Sequence, residues 1–216
     1  MSLKILSLSD VVLDVLFNPQ VRERFRDVQL IISCGDLPGY YLEYVVNSLD
    51  AWLYFVRGNH DVIVEETESG SRQASFGGVN LHRRTNRFDA LLLAGVEGSL
   101  RYREGPFQYS QSEMWGHVFS LIPSFLLNRV RYGRFLDVFI THAPPMGIHD
   151  QTDLPHRGIA AFRWLLQVFK PTYHFHGHVH LYRPDSERVT RFGETRVVNT
   201  YGFAETVIPP RSATNQ

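Results

Sequence analysis

Four histidines stand at alternate positions in the stretch HFHGHVH: His174, His176, His178 and His180. A lone histidine among apolar neighbours is ordinarily a core residue satisfied by one backbone partner, and four at period two ask for more than that. In extended backbone, residues two apart face the same side, while Gly177 in mid-run favours a turn. The run therefore divides, with a strand ending near His176 and with His178 and His180 on a loop. Neutral imidazole is the commonest metal ligand, so a loop offering two of them needs only carboxylates from elsewhere to complete a site.

The elements that would position those partners are short apolar runs that stop at polar residues. KILSLSD ends at Asp10, QLIISCGD at Asp36, and AWLYFVRGNHD at Asn59, His60 and Asp61. DALLLAG ends near Glu97, and FLDVFITH ends at His142. Each run has the length and composition of a strand. Helical stretches lie between them: Asn18-Pro19 resembles an N-cap followed by proline at the first helical position. Residues 38–49, 111–130 and 158–169 also read as helices, the second interrupted at Pro123. Strand and helix alternate, so the class is α/β. Ligands in such sheets collect beyond the carboxyl ends of the strands, where nearly every candidate here sits. Any one of these residues alone reads as a turn former, a cap or a core histidine. The recurrence of the same placement favours a shared function.

Two carboxylates, one amide and three histidines suit a pair of divalent transition-metal ions, with Mn, Fe, Zn, Co or Ni preferred over Mg or Ca. The only cysteine is Cys34, which excludes a thiolate site and an intrachain disulfide. Its apolar setting, IISCGD, marks a buried structural thiol. Two ions about 3.5–4 Å apart can clamp an in-line displacement at phosphorus, so hydrolysis of a phosphate ester by metal-activated water is the natural reaction.

At 216 residues and 44% hydrophobic, the chain can bury one sizeable core, and we read residues 1–205 as a single domain with 206–216 as a tail. Lys plus Arg equals Asp plus Glu at 22 each, so no whole-chain field recruits nucleic acid or an anionic membrane. Ser7, Ser9, Asp10 and Asp14 interrupt the apolar N-terminus, and no run approaches the ~20 apolar residues of a membrane span. The expectation is a soluble, cytoplasmic protein acting on a small phosphorylated substrate.

The ordered motifs Gly35-Asp36, Gly58-Asn59-His60-Asp61, Thr141-His142 and Gly177-His178-Val179-His180 resemble those of the calcineurin-like metallophosphoesterase superfamily. That resemblance implies a two-sheet β-sandwich flanked by helices in four layers, with the metals at one edge of the sheets. It further implies that Asp36 bridges both ions, that Asn59, His142 and His178 complete one, and that Asp10 and His180 bind the other. His60 would lie near the scissile phosphate, stabilising charge or protonating the leaving group. Asp61 reads equally as orienting His60 or as capping a following helix.

Two departures stand out. Where the first motif is usually Asp-x-His, this chain has Asp10-Val11-Val12, and valine cannot bind metal. One ion would keep Asp10, Asp36, His180 and solvent, with Asp14 a conceivable replacement whose ordinary role is an exposed carboxylate. The aspartate and arginine that follow the second motif in the phosphoprotein-phosphatase branch are missing from GDLPGYYLEY, where Tyr40, Tyr41 and Tyr44 read as core-packing aromatics. Two loops could read the substrate: 98–110, with Arg101, Tyr102, Arg103 and Tyr109, and 143–158, with His149 and Asp150. The competing readings are a scaffold whose catalysis has decayed at Val12, and a nuclease. Decay would be expected to erode His60, Asn59 or GHVH as well, and a nuclease to carry a longer basic stripe than RYREGPFQY.

Overall fold

The computed structural model describes residues 2–67, 70–73, 77–183 and 185–209. The first half of the chain contains β1 (Leu3–Ser9), α1 (Val21–Arg24), β2 (Leu30–Ser33), α2 (Gly39–Leu49), β3 (Trp52–Phe55), the hairpin β4 (Val64–Thr67) and β5 (Gly70–Gln73), then β6 (Val79–Asn80), β7 (Arg84–Phe88) and β8 (Leu91–Val96). After the short pair β9 (Ser99–Leu100) and β10 (Gln108–Tyr109) come α3 (Gln111–Phe119), α4 (Ile122–Tyr132), β11 (Val138–Thr141), α5 (Ala160–Phe169) and β12 (Tyr173–His176). The chain finishes with β13 (Val189–Phe192), β14 (Thr195–Asn199) and β15 (Gly202–Ile208).

Two sheets result, ordered β15-β1-β2-β3-β6 and β13-β14-β12-β11-β8-β7. Their central strands run parallel, β1 to β2 to β3 in one and β8 to β11 to β12 to β14 in the other. Side chains alternate across each strand. Ile5, Ile32, Tyr54, Leu93, Ile140 and Phe175 therefore form one buried layer between the sheets. From the opposite face of the first sheet, Leu6, Ile31 and Leu53 pack under Val21 of α1 and Tyr41 and Val45 of α2. From the outer face of the second, Ala94, Phe139 and Val197 pack under Met114, Phe125 and Phe162 of α3, α4 and α5. These layers are the helix–sheet–sheet–helix sandwich that the motifs implied.

Local details differ from the sequence reading. Asn18 is not a helix cap: its side chain accepts from the N–H of Gln20 at 2.8 Å, a turn that precedes a single helical turn. The stretch 111–130 is two helices, parted at Ser120 and Leu121, with Pro123 in the first turn of α4, where its missing N–H costs no hydrogen bond. Residues 206–208, read as the start of a tail, continue β15, and Ile208 pairs with Leu3. The rest of that tail, 210–216, lies outside the described residues. Among the described residues no helix is long and apolar enough to cross a membrane.

Candidate metal centre

The parallel strands deliver their carboxyl ends to one edge of the sandwich, and the loops there are packed too closely for ordinary backbone. Asp10, Asp36 and His178 all adopt the left-handed region, with φ of 68°, 57° and 69°. Such strain at non-glycine residues persists only where the surroundings enforce it, and it gathers at functional sites. The glycines beside them are enforced too. A Cβ on Gly58 would fall 2.0 Å from Asp36 Oδ1, and one on Gly177 would fall 2.6 Å from Asp10 Oδ2.

His142 is the hub of the resulting cluster. Its Nε2 lies 3.2 Å from Asp36 Oδ2, 3.0 Å from Asn59 Oδ1 and 3.0 Å from His178 Nδ1. Backbone carbonyls fix both imidazoles: His142 Nδ1 donates to the Cys34 carbonyl at 2.7 Å, and His178 Nε2 donates to the Pro155 carbonyl at 2.7 Å. The remaining nitrogen of each ring therefore faces inward. Two imidazole nitrogens, a carboxylate oxygen and an amide oxygen converge, and such a set asks for positive charge, either a proton on His142 Nε2 or a metal ion in its place.

The electrostatics agree. Burial opposes charge on His142, yet Asp36 and then Asp10 outweigh it and lift its pKa to about 9. Burial likewise opposes an ionised Asp36, but the His142 charge and the N–H of His60 bring its pKa down to about 2. Burial first, and the His142 charge second, push His178 down to about 3. The two carboxylates thus draw a proton onto His142 Nε2, the place that a bound cation would take with the ring neutral, and the mixed N/O donors suit a divalent transition metal.

Asp10 and His180 are not among these four residues, although Asp10 lies near enough for its charge to act on His142. Asp10 receives the backbone N–H of His178 on both carboxylate oxygens, at 3.1 and 3.0 Å. The His180 ring stacks on Tyr201 with centroids 4.5 Å apart, and its Nδ1 lies 2.6 Å from the Tyr182 hydroxyl. Among the described residues, the tight cluster of histidine and carboxylate ligand atoms contains Asp36, His142 and His178 alone. His60 reaches the centre through its backbone, donating to Asp36 Oδ1 at 2.7 Å, while its ring is exposed.

Asp61 does neither thing expected of it. Its carboxylate accepts from the N–H of Leu37 at 3.2 Å and of Gly58 at 2.8 Å, so it ties the Asp36 loop to the Asn59 loop. No helix follows it to be capped. Burial, and next the Asp36 charge, raise its pKa to about 6. Val12 packs against the layer beneath α1 and α2, and Asp14 is exposed. Tyr41 is buried in that layer, whereas Tyr40 is exposed.

Both candidate loops reach the centre, by different means. In loop 98–110, the Tyr102 hydroxyl accepts Asn59 Nδ2 at 3.1 Å, turning Oδ1 toward His142, and Arg103 Nη2 lies 3.2 Å from His60 Nδ1. In loop 143–158 the contact is the Pro155 carbonyl. His149 instead bonds His176 at 2.9 Å and Thr190 at 2.8 Å, and Asp150 accepts from the N–H of Gly158. The arginines and tyrosines of 98–110 were visible as a group in the sequence. Nothing there marked Tyr102 as the partner of Asn59, and a carbonyl such as that of Cys34 or Pro155 leaves no trace in residue type.

Comparisons with known proteins bear on the whole chain. The family profile described as calcineurin-like phosphoesterase matches residues 7–182. The crystal structure of TT1561 of Thermus thermophilus superposes with a TM-score of 0.64 at 14% identity, covering 94% of this chain and 90% of that one. Another crystal structure gives a TM-score of 0.63 at 16% identity, over 96% and 95% of the two chains. At such identities the likeness is one of fold. No curated protein sequence matches.

Proposed function

Because the chain belongs to the calcineurin-like phosphoesterase family, we propose that it hydrolyses a phosphate ester on a small phosphorylated substrate, with two divalent transition-metal ions at the strand-end cluster. The observation that carries this reading is the convergence of Asp36 Oδ2, Asn59 Oδ1 and His178 Nδ1 on His142 Nε2, with both rings locked by backbone carbonyls. Asp36, Asn59, His142 and His178 would hold one ion, and Asp10, Asp36 and His180 the other. When bound, the ions supply Lewis-acid charge to phosphoryl oxygens and lower the pKa of water.

The chain's own groups do the rest. Tyr102 fixes the Asn59 amide, Asp61 fixes the two loops against each other, and the buried floor excludes water behind the ligands. His60 faces the mouth with Nδ1 occupied by Arg103. A guanidinium offers only donors, so Nδ1 accepts and the ring proton sits on Nε2, available to hydrogen-bond a phosphoryl oxygen.

Metal-stripped protein refilled with Mn, Fe, Zn, Co or Mg, and assayed on phosphomonoesters and phosphodiesters, tests the reading. Asp36→Asn and His178→Ala are each expected to abolish hydrolysis and lower metal content, since the first removes the carboxylate charge and the second an inward-facing imidazole nitrogen. Full metal and full turnover in either variant would overturn the assignment.

A further inference from the structure

The loop between β9 and β10 is built to present two consecutive side chains to the centre. The N–H groups of Tyr102 and Arg103 both donate to Oε1 of the buried Gln108 at 3.3 Å. Arg101 Nη2 binds the Gln108 carbonyl at 3.3 Å and Glu113 at 3.0 Å, so its charge is matched locally. Hydrogen bonds from Ser99 N to the Phe107 carbonyl and from Arg101 N to the Tyr109 carbonyl close the base of the loop. Gly98, with φ of 78°, lies so near that a Cβ would meet the Phe107 carbonyl at 2.1 Å. A loop held this way fixes where its tip residues point. Tyr102 points to Asn59, and Arg103 keeps an exposed guanidinium against His60 Nδ1.

We propose that Arg103 and His60 form an anion clamp at the mouth of the metal centre that selects phosphomonoester dianions over phosphodiester monoanions. The inference rests on the phosphoesterase reading and adds a substrate class to it. A monoester offers three non-bridging oxygens and two negative charges; a diester offers two oxygens and one charge. The third oxygen of the monoester is the one that a guanidinium fork and an imidazole N–H at the mouth can take. In a diester that position carries an alkylated oxygen, which accepts weakly and brings a substituent against Arg103. Arginine suits the task because its planar donors engage phosphate oxygens in pairs. Asp61, the carboxylate that stands next to His60 in sequence, is committed to Leu37 and Gly58 and does not neutralise the clamp.

The test uses metal-loaded protein with inorganic phosphate and dimethyl phosphate as probes, read by calorimetry, on wild type, Arg103→Ala and Arg103→Lys. Phosphate affinity should fall about 10- to 100-fold in Arg103→Ala, the loss expected for charge-assisted hydrogen bonds, while dimethyl phosphate shifts by less than about threefold. Arg103→Lys should lie between, keeping the charge but losing the fork. Metal content should be unchanged in both variants. A parallel assay compares an aryl phosphomonoester with a methyl aryl phosphodiester of the same leaving group, and the monoester should suffer the larger loss. Equal losses for the two probes, no loss of phosphate binding, no phosphate binding by wild type, or loss of metal in the variants would each overturn the clamp. Wild type that binds phosphate through Arg103 but hydrolyses neither ester would refute the phosphoesterase reading and leave the clamp standing. Hydrolysis that is indifferent to Arg103 would do the reverse.

Discussion

At the scale of single residues, the partner of His60 decides which proton it can offer. With Arg103 donating to Nδ1, the ring is a neutral donor through Nε2, and a second proton on Nδ1 would face a guanidinium N–H. Such a ring would stabilise phosphoryl charge and would be poorly placed to protonate a departing alkoxide. His60→Ala should therefore retain its metal and lose roughly 10²–10³-fold in rate, the usual effect of removing one preorganised donor. The loss should be the same for activated aryl esters and for alkyl esters with poor leaving groups. A loss that grows with leaving-group pKa would show that His60 is a general acid and that the Arg103 contact opens during catalysis. Asp61 shows how sequence adjacency misleads here. Following His60 directly, it reads as its orienting carboxylate, yet its oxygens are taken by two backbone amides, Gly58 in its own turn and Leu37 in the neighbouring loop.

At the scale of elements, β12 explains what the first two histidines of the HFHGHVH run do. His174 and His176 lie on a strand paired on both sides, and both are fully buried. The Thr141 hydroxyl donates to the Ala143 carbonyl and so accepts from His174 Nε2 at 2.8 Å. Burial first, then the charge of His149, push the His174 pKa down to about 3, and burial drives His176 down as well. A depressed folded-state pKa stabilises the fold above the unfolded value and loses that contribution as pH falls. Stability should therefore decline from about pH 6.5 toward pH 3, by up to about 1.4 kcal/mol per pH unit for each such imidazole. His174→Gln should flatten the profile, measured by urea denaturation between those limits; an unchanged slope would show that His174 takes no part. The same strand shows which elements can be read from sequence. Strands β2, β11 and β12 are buried along their whole length; the first two appear as apolar runs ending in chemistry, and β12 as alternating aromatics and histidines. Strand β13, VTRF at the sheet edge, alternates between exposed and half-buried positions and resembles a loop. The candidate ligands were legible because they follow buried strands. Tyr102 was not, because its tie to Asn59 depends on how Gln108 folds the loop back.

At the scale of the whole molecule, the centre joins the two sheets: Asp36 and Asn59 follow strands of the first, His142 and His178 strands of the second. An ion held by all four would clamp the sandwich at one edge and stabilise the folded state by mass action, about 2.7 kcal/mol at one hundred times its dissociation constant. The second ion would draw on Asp10, Asp36 and His180, and the fold serves it less well. Asp10 already accepts from the His178 amide, and the His180 ring is held by Tyr182 and Tyr201. At position 12, where the usual Asp-x-His motif has a histidine, the valine packs into the layer beneath α1 and α2. We therefore predict unequal occupancy: a two-step calorimetric titration of metal-free protein with Mn or Zn, the first step tight and the second weaker. The packing of Val12 also indicates what Val12→His would do. An imidazole in that apolar layer loses contacts and does not approach Asp10, so the second step should stay as weak as in wild type while stability falls by about 1 kcal/mol, the usual cost of a disturbed packing position. Equal and tight binding of both ions in wild type would sink the prediction and point to a replacement ligand from elsewhere in the chain. A second step that tightens in Val12→His would show that residue 12 faces the metal centre and that this edge of the sandwich rearranges to admit it.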